Sequence, residues 1–393
     1  MSFFNIDLST WAIYEYVVGG VLVLCFLYQL YFAVRYLSAV NRYARRQKRQ
    51  SSEQTQSVET QMPAVSVVVC ARNEAYNLHT FLCSLLEQDY PEFEVIVVND
   101  ASEDGTQEVL DRLGLIYKNM HVTFVPRGAR VGSSKKLALT LAAKAARYDY
   151  LLLTDADCRP VSRKWIREMV SGFLPETEVV LGYGAYFEKP TLLSRLISYD
   201  TLYNGLQYLG MALAGHPYMG VGRNLAYRRQ TFFEHKGFAG MLGVKAGDDD
   251  LFVNRVANKR NTRVVVSAES VVWSVPKPSF VEWKQQKERH LSVSPMYKAS
   301  SKLRLTIEPL TRGLLYASAI VAACMSNPLL WLAAGVALLA RWLWLWGILN
   351  SSARRLGQRP VGLELPLLDI YLPLNSLFLH SLLAIFPQRR NRW

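Results

Sequence analysis

The sequence predicts an α/β domain with a parallel-type sheet, held between membrane-spanning ends. Three observations predict it. β-Branched runs alternate with helical spacing, the strand ends are polar, and long apolar stretches occur near both termini. With 393 residues, half of them hydrophobic, the chain has apolar material for both a sizeable core and spans.

Trp11 to Leu37 is mostly apolar, broken by Glu15, Gln29 and Arg35, and is long enough to cross a bilayer, which takes about 20 helical residues. A cleaved signal peptide would have a basic start and a small-residue end; here Asp7 precedes the run and Arg42, Arg45, Arg46, Lys48 and Arg49 follow it. The expectation is a retained anchor over residues 1–38 with the next domain in the cytoplasm, because basic residues near a span set its orientation. Residues 39–62 read as a basic and polar linker, Ser/Gln/Glu/Thr-rich from Gln47 to Gln61.

A net charge of +13 raises nucleic acid as a partner, but much of the excess flanks the apolar stretches, so none is expected. Cys25, Cys70, Cys83, Cys158 and Cys324 are scattered without a Cys-x-x-Cys pair, which fits a reducing compartment and offers no disulfide framework.

Val65 to Val69 predicts the first strand, and Leu78, Phe81, Leu82, Leu85 and Leu86 follow at helical spacing. Val95 to Val98, His121 to Val125 and Leu151 to Thr154 predict three more strands, with helices over Val109 to Leu115 and Leu137 to Ala146. Ligands of such sheets bind at the carboxyl ends of the strands. Those ends read Arg72-Asn73-Glu74, Asn99-Asp100 and Asp155-Ala156-Asp157, so separate segments deliver carboxylates to one edge.

Phosphate-cradling glycine loops are missing: no G-x-x-x-x-G-K-[ST] occurs, and no G-x-G-x-x-G follows the first strand. An acidic edge can still hold a diphosphate through a divalent cation, since Mg²⁺ or Mn²⁺ takes carboxylate oxygens together with substrate phosphates. Asp155 and Asp157 are therefore candidate metal ligands. The alternative is a pair of turn aspartates capping the next helix.

The stretches VSVVVCARNEAYNL (65–78), VIVVNDASEDGT (95–106), SKKLALT (134–140), LLTDAD (152–157), GVGRNLAYRR (220–229), AGDDDLF (246–252) and QKERH (286–290) together resemble, in order, the motifs of membrane-bound family 2 glycosyltransferases. The resemblance covers roughly residues 63–305. It implies a GT-A fold with a Rossmann-like mixed sheet, a nucleotide-sugar donor, a divalent metal and inversion at the anomeric carbon.

By position, Glu74 and Asp100 resemble the residues that contact the nucleoside, with Ala71 beside the base. Lys135 resembles the basic residue near uracil and phosphates. Asp155 and Asp157 match the D-x-D, the second reaching the metal most directly, while Arg223 and Asn224 fall where the family lines the donor sugar and acceptor opening. In the Gly247-Asp248-Asp249-Asp250 run the resemblance makes Asp249 the catalytic base; anchoring on Leu251 instead shifts the role to Asp248. Gln286 and Arg289 match Q-x-x-R-W, in which the arginine can pair with phosphate oxygens, but His290 replaces the tryptophan that would offer a broad face to an acceptor sugar.

Leu314 to Met325 and Leu329 to Leu349, separated by Ser326-Asn327-Pro328, predict a two-span hairpin within a C-terminal membrane region, residues 306–393. Leu363 to Phe386 is apolar but interrupted by Pro366, Asp369, Pro373 and Asn375 and followed by Arg389, Arg390 and Arg392; a re-entrant, interfacial or third spanning segment fits it. Phe280 to Lys284 has the amphipathy of a helix lying on headgroups or, equally, of a core helix.

The expected protein is an inverting, metal-dependent glycosyltransferase at the cytoplasmic face of an inner membrane, moving a sugar from a UDP-sugar to a membrane lipid or lipid-linked glycan. A processive polysaccharide synthase of the glucan or N-acetylglucosamine type and a non-catalytic nucleotide-sugar-binding adaptor are the alternatives. Few spans are foreseen for a one-chain polymer channel, which an oligomer would have to complete.

Overall fold

Alternation along four short apolar runs fixes the centre of the molecule. Val65–Ala71 (β1), Phe93–Asn99 (β2), Met120–Phe124 (β3) and Tyr150–Asp155 (β4) pair in parallel in the order β3-β2-β1-β4. Successive side chains of a strand point to opposite faces. Val67, Val69, Val95 and Val97 accordingly pack on one side with Leu78, Leu82, Leu85 and Leu110, while Val68, Ile96, Val98 and Leu153 pack on the other with Ala138, Leu139 and Leu206. Each buried aliphatic side chain contributes about 1.5–3 kcal/mol, so both faces stabilise the sheet.

The computed structural model describes residues 12–53, 62–126, 128 and 132–385. Cys158–Pro160 (β5), Val179–Leu181 (β6), Gly184–Tyr186 (β7), Leu225–Arg228 (β8), Thr262–Val264 (β9) and Val272–Ser274 (β10) complete the strands. β8 enters antiparallel to β4 and β6, giving a mixed seven-stranded sheet that continues β4-β8-β6-β9; a small sheet of order β5-β10-β7 stands beside it.

The helices are Ile13–Phe32 (α1), Ala39–Glu53 (α2), Ala75–Leu86 (α3), Thr106–Ile116 (α4), Ser134–Ala145 (α5), Trp165–Val170 (α6), Leu192–Leu213 (α7), Arg229–Glu234 (α8), Asp250–Val256 (α9), Phe280–Ser292 (α10), Ala299–Ala323 (α11), Pro328–Arg355 (α12) and Leu365–Ile385 (α13). The four foreseen strands and the helices between them are present. Their ends extend past the apolar runs because capping and pairing, not side-chain pattern, set where an element stops.

The linker differs from expectation. The helix does not stop at residue 38 but runs through a π turn at Ala33–Leu37 into α2, where Val40 and Ala44 are buried in the main core; residues 54–61 of the expected linker lie outside the described residues, as do Arg389, Arg390 and Arg392. α7 accounts for this. It passes so close to the π turn that a Cβ on Gly210 would stand 2.0 Å from the Tyr36 carbonyl oxygen.

Ile13–Arg49 and Pro328–Arg355 are long and apolar enough to cross a membrane. α1, α11 and α12 share a separate core of Leu22, Cys25, Leu315, Ala319, Ala322, Leu330, Ala334 and Ala337, whose small residues allow close helix approach. α13 is one helix despite its interruptions. Asp369 is buried on it because Arg341 grips the carboxylate with two nitrogens at 2.8 Å and Arg312 adds a contact at 3.2 Å. Such a buried group is tolerated only when paired, since losing one partner costs about 3–5 kcal/mol.

Candidate active site

The parallel strands end together, and the chain's polar segments meet there. β4 delivers Asp155 at its last position and Asp157 two residues on, just before β5. The first turn of α5, capped by the Ser133 hydroxyl, brings Lys135 across. Its Nζ lies 2.9 Å from Asp155 Oδ1 and 3.0 Å from Asp248 Oδ2. Burial alone would lower the lysine's proton affinity, but Asp155, Asp248 and Asp249 raise it well above the usual lysine range.

Three consecutive aspartates behave differently because their partners differ. Against the cost of burial, Lys135 holds Asp248 below the usual carboxylate range. Asp249 caps α9 by accepting from the Asp250 N–H at 2.8 Å and also accepts from the Gly222 N–H at 2.6 Å. Burial first, then the neighbouring Asp248, pushes its pKa up to about 6. Asp250 accepts from the Tyr297 hydroxyl at 2.6 Å; burial and then Asp249 push it up to about 7. Gly247, at φ 86°, supplies the left-handed turn that starts this run.

A cleft there is lined by Cys70, Lys135, Thr154, Asp155, Gly222, Asp248 and Asp249. Asp157 stands beside it, its pKa raised by burial and by Asp155 and opposed by Arg223. The Arg223 guanidinium lies 4.1 Å from the centre of the Tyr186 ring, and Gln286 donates to the Tyr186 hydroxyl at 3.0 Å. One tyrosine thus links the segment after α7 to α10.

α10 is set by Trp283, buried in the core, and by an ion pair between Lys287 and Asp200 of α7. It carries Gln286 to the Tyr186 hydroxyl, and its last turn holds Arg289 and His290, both solvent-accessible, the imidazole close enough to Asp248 and Arg223 to sense their charges. The expected headgroup helix over Phe280 to Lys284 is therefore anchored on one side, while Phe280 and Val281 remain exposed on the other.

Glu74 lies near the D-x-D, its proton affinity raised by burial and further by Asp157 and Asp155, and its carboxylate accepts from Asn77 at 2.6 Å. Asp100 is buried at the end of β2, its N–H donating to the Ala71 carbonyl at 2.8 Å, so these three residues share the strand-end edge. Asn224 differs from expectation. It is fully buried, donates to the carbonyls of Tyr183 (2.9 Å) and Ser270 (2.7 Å) and accepts from Trp165 Nε1 at 3.0 Å, so its amide is consumed in tying the two sheets together.

Two residues escaped the sequence reading. Tyr186 lies in no motif and has no local signal. Lys136 is fully buried and donates to the carbonyls of Met241, Val244 and Ala246 at 3.0, 2.7 and 2.6 Å, which fixes the loop leading into Asp248 and Asp249. The Lys-Lys pair in SKKLALT was its only trace.

Ligand atoms of Asp155, Asp157 and Cys158 lie within 4.8 Å of one another. The two carboxylates fit a hard divalent cation completed by substrate phosphates. The Cys158 thiol is a soft ligand and a poor match for such a hard cation.

Residues 66–237 match the family model described as glycosyl transferase family 2. Glycosyltransferase AglE of Haloferax volcanii is 26% identical over 145 residues, 36% of this chain and 46% of that protein. A poly-beta-1,6-N-acetyl-D-glucosamine synthase of Staphylococcus epidermidis is 34% identical over 97 residues, 25% of this chain and 22% of that protein. These matches thus span less than half the length of either relative. The mannosyltransferase PcManGT of Pyrobaculum calidifontis, solved with GDP-Man and Mn²⁺, superposes with a TM-score of 0.54 at 21% identity over 86% of this chain and 98% of that one, a likeness of fold. With its mixed sheet and acidic strand-end cleft, this chain has the GT-A fold, and its residues 66–237 are similar to glycosyl transferase family 2.

Proposed function

We propose that the protein is an inverting, metal-dependent enzyme that transfers a sugar from a nucleotide sugar, a UDP-sugar first among the candidates, to a membrane lipid or lipid-linked glycan at the cytoplasmic face. The observation that carries this reading is the meeting of the D-x-D, Lys135 and Asp249 at one cleft. Mg²⁺ or Mn²⁺ held by Asp155 and Asp157 would neutralise a departing diphosphate. Asp249 takes the proton of the acceptor hydroxyl as its oxygen bonds to the anomeric carbon and the bond to the diphosphate oxygen breaks. A base with a pKa near 6 is deprotonated at neutral pH yet basic enough for that transfer. Lys135, Gln286 and Arg289 are the proposed donor-phosphate contacts, with Ala71, Glu74 and Asp100 along the nucleoside edge.

The orientation rests on the basic residues after α1 and on Arg354 and Arg355 at the end of α12, all on the side of the transferase domain. Cysteines introduced in residues 63–305 should resist labelling from outside intact cells, and strong labelling there would reverse the topology.

The deciding experiment is a product assay of the full chain in native lipid with labelled UDP-sugars and GDP-mannose, with divalent cations removed and restored. Turnover of one donor that depends on the cation is expected. Tight binding without turnover of any donor would favour the adaptor reading. The likeness to a polysaccharide synthase favours a second reading, processive synthesis. Product size separates the two: one or very few added sugars are expected, and a high-mass polymer from one enzyme encounter would promote the synthase.

A further inference from the structure

The π turn at Ala33–Leu37 interrupts an otherwise continuous helix at the level where the apolar surface of α1 ends. Such turns are rare and occur often at functional sites. Arg42 folds back onto it, donating to the carbonyls of Val34 and Arg35 and to the Ser38 hydroxyl, so this guanidinium is spent on the backbone. Arg35 is not. It is exposed and, among the described residues, donates one N–H, to the Ala214 carbonyl at 3.2 Å.

That contact brings Arg35 to the loop after α7, where His216 follows two residues later. Arg304 of α11 approaches the same imidazole, whose proton affinity is lowered by burial and then by Arg304 and Arg35. The heights agree, because Gln29 of α1 donates to the Glu308 carbonyl of α11 at 2.9 Å and the two arginines lie beyond that contact on the same side. Among the described residues none of Arg35, His216 and Arg304 forms an ion pair. Exposed Tyr31 and Val34 lead up to Arg35, and exposed Leu310 and Leu314 lead away from Arg304, so the unpaired cations sit where an apolar surface ends.

We propose that Arg35, His216 and Arg304 form a binding site for the phosphate of an anionic membrane lipid. The inference rests on the membrane reading given above. Guanidinium groups match phosphate oxygens with paired N–H donors, an anion placed between the two arginines relieves their mutual repulsion, and the neutral His216 imidazole can donate one N–H to it. The acyl chains would lie against Tyr31, Val34, Leu310 and Leu314. Diffuse attraction of a basic rim to an anionic surface is the rival explanation, and it would weight every basic residue at that rim alike.

Flotation of the full chain with phosphatidylcholine vesicles tests the membrane reading by itself; a chain that fails to float sinks that reading and this site with it. For a chain that floats, native mass spectrometry of protein released from bilayers of phosphatidylcholine and phosphatidylglycerol reads the site. Wild type should retain phosphatidylglycerol preferentially, Arg35→Gln and Arg304→Gln should each reduce that preference about fivefold, and the two Lys replacements should keep most of it. Arg354→Gln, at the end of α12, should leave it unchanged. Equal loss in Arg354→Gln, or full preference in the Arg35→Gln/Arg304→Gln double variant, would overturn the site. Displacement of the lipid by inorganic phosphate alone would assign it to a free anion and overturn the lipid assignment.

Discussion

The Nζ of Lys135 lies 2.9 Å from Oδ1 of Asp155, which ties the first turn of α5 to the end of β4. The same ammonium reaches Asp248 on the far wall, so one cation spans the cleft between the proposed metal ligand and the proposed base. Hydrogen bonds to charged groups contribute about 1.5–3 kcal/mol, less where solvent screens them. Lys135 is 42% exposed, so Lys135→Met should raise the donor KM by about tenfold, with Lys135→Arg intermediate. Initial rates against donor concentration check this; an unchanged KM would remove Lys135 from the donor site.

Asp249 and Asp248 are separable by pH. A base with its pKa pushed up to about 6 gives a rate that rises with pH through 6, because only the carboxylate accepts the acceptor's proton. Asp249→Asn should retain donor binding by calorimetry, lose about 10²–10⁴ in kcat and lose that acidic limb. Asp248→Asn should keep the limb. The reverse pattern would move the base to Asp248.

The D-x-D assignment predicts a different failure. Asp157→Ala should abolish the cation dependence of donor binding, since two carboxylates and a diphosphate provide the hard oxygen ligands. Titrating Mn²⁺ against donor affinity in wild type and variant measures it, and an unaltered cation dependence would sink the assignment.

Much of this site was legible because its chemistry sits at strand ends. Val65 to Val69 and Val95 to Val98 announce strands through β-branching, and the first polar residues after them must lie at the carboxyl edge. Asp155 and Asp157 were readable for that reason, whereas Lys135 and Asp249, on helix starts, were named only through the resemblance of their motifs. Tyr186 was not: its role depends on Arg223 and Gln286 arriving from elements 37 and 100 residues away in the chain, and no local pattern encodes such a meeting. Asn224 was misread because a motif position says which residue is present, not whether its amide faces a cleft or, as here, Trp165 and two carbonyls. The continuous α1–α2 helix was hidden for a related reason. The polar composition after residue 46 looks like a linker, and only packing of Val40 and Ala44 into the core keeps the preceding turns helical.

Asp250 carries a stability prediction. Its pKa is pushed up to about 7 in the folded chain, whereas an unfolded aspartate titrates near 3.9. Between those values the folded state binds the extra proton, so this residue's contribution to stability falls as pH rises from about 4 to 7. Asp250→Asn keeps an oxygen for the Tyr297 hydroxyl and removes the titration. The variant should therefore gain thermal stability relative to wild type at pH 8 and little at pH 4. Melting curves at both pH values check it; a difference independent of pH would mean that Asp250 is not held protonated by burial.

Gly210 tests how the long N-terminal helix is coupled to the α/β domain. On α7 its missing side chain admits the carbonyl of Tyr36, and a Cβ would lie 2.0 Å from that oxygen, a separation only backbone movement can relieve. Two effects oppose one another in Gly210→Ala. Alanine favours a helix interior over glycine by about 0.8–1 kcal/mol, while overpacking costs typically about 1–3 kcal/mol and falls here on backbone rather than on a yielding side chain. The clash should win, lowering the melting temperature and slowing turnover, because α7 also carries Asp200, the partner of Lys287 on α10. Gly114 on α4 is the control: its Cβ would meet only Met120 Cε at 3.5 Å, an ordinary contact, so Gly114→Ala should stabilise by up to about 1 kcal/mol. If Gly210→Ala instead matched Gly114→Ala in stability and kept full activity, α7 would not be seated on the π turn and the two parts of the chain would be coupled elsewhere.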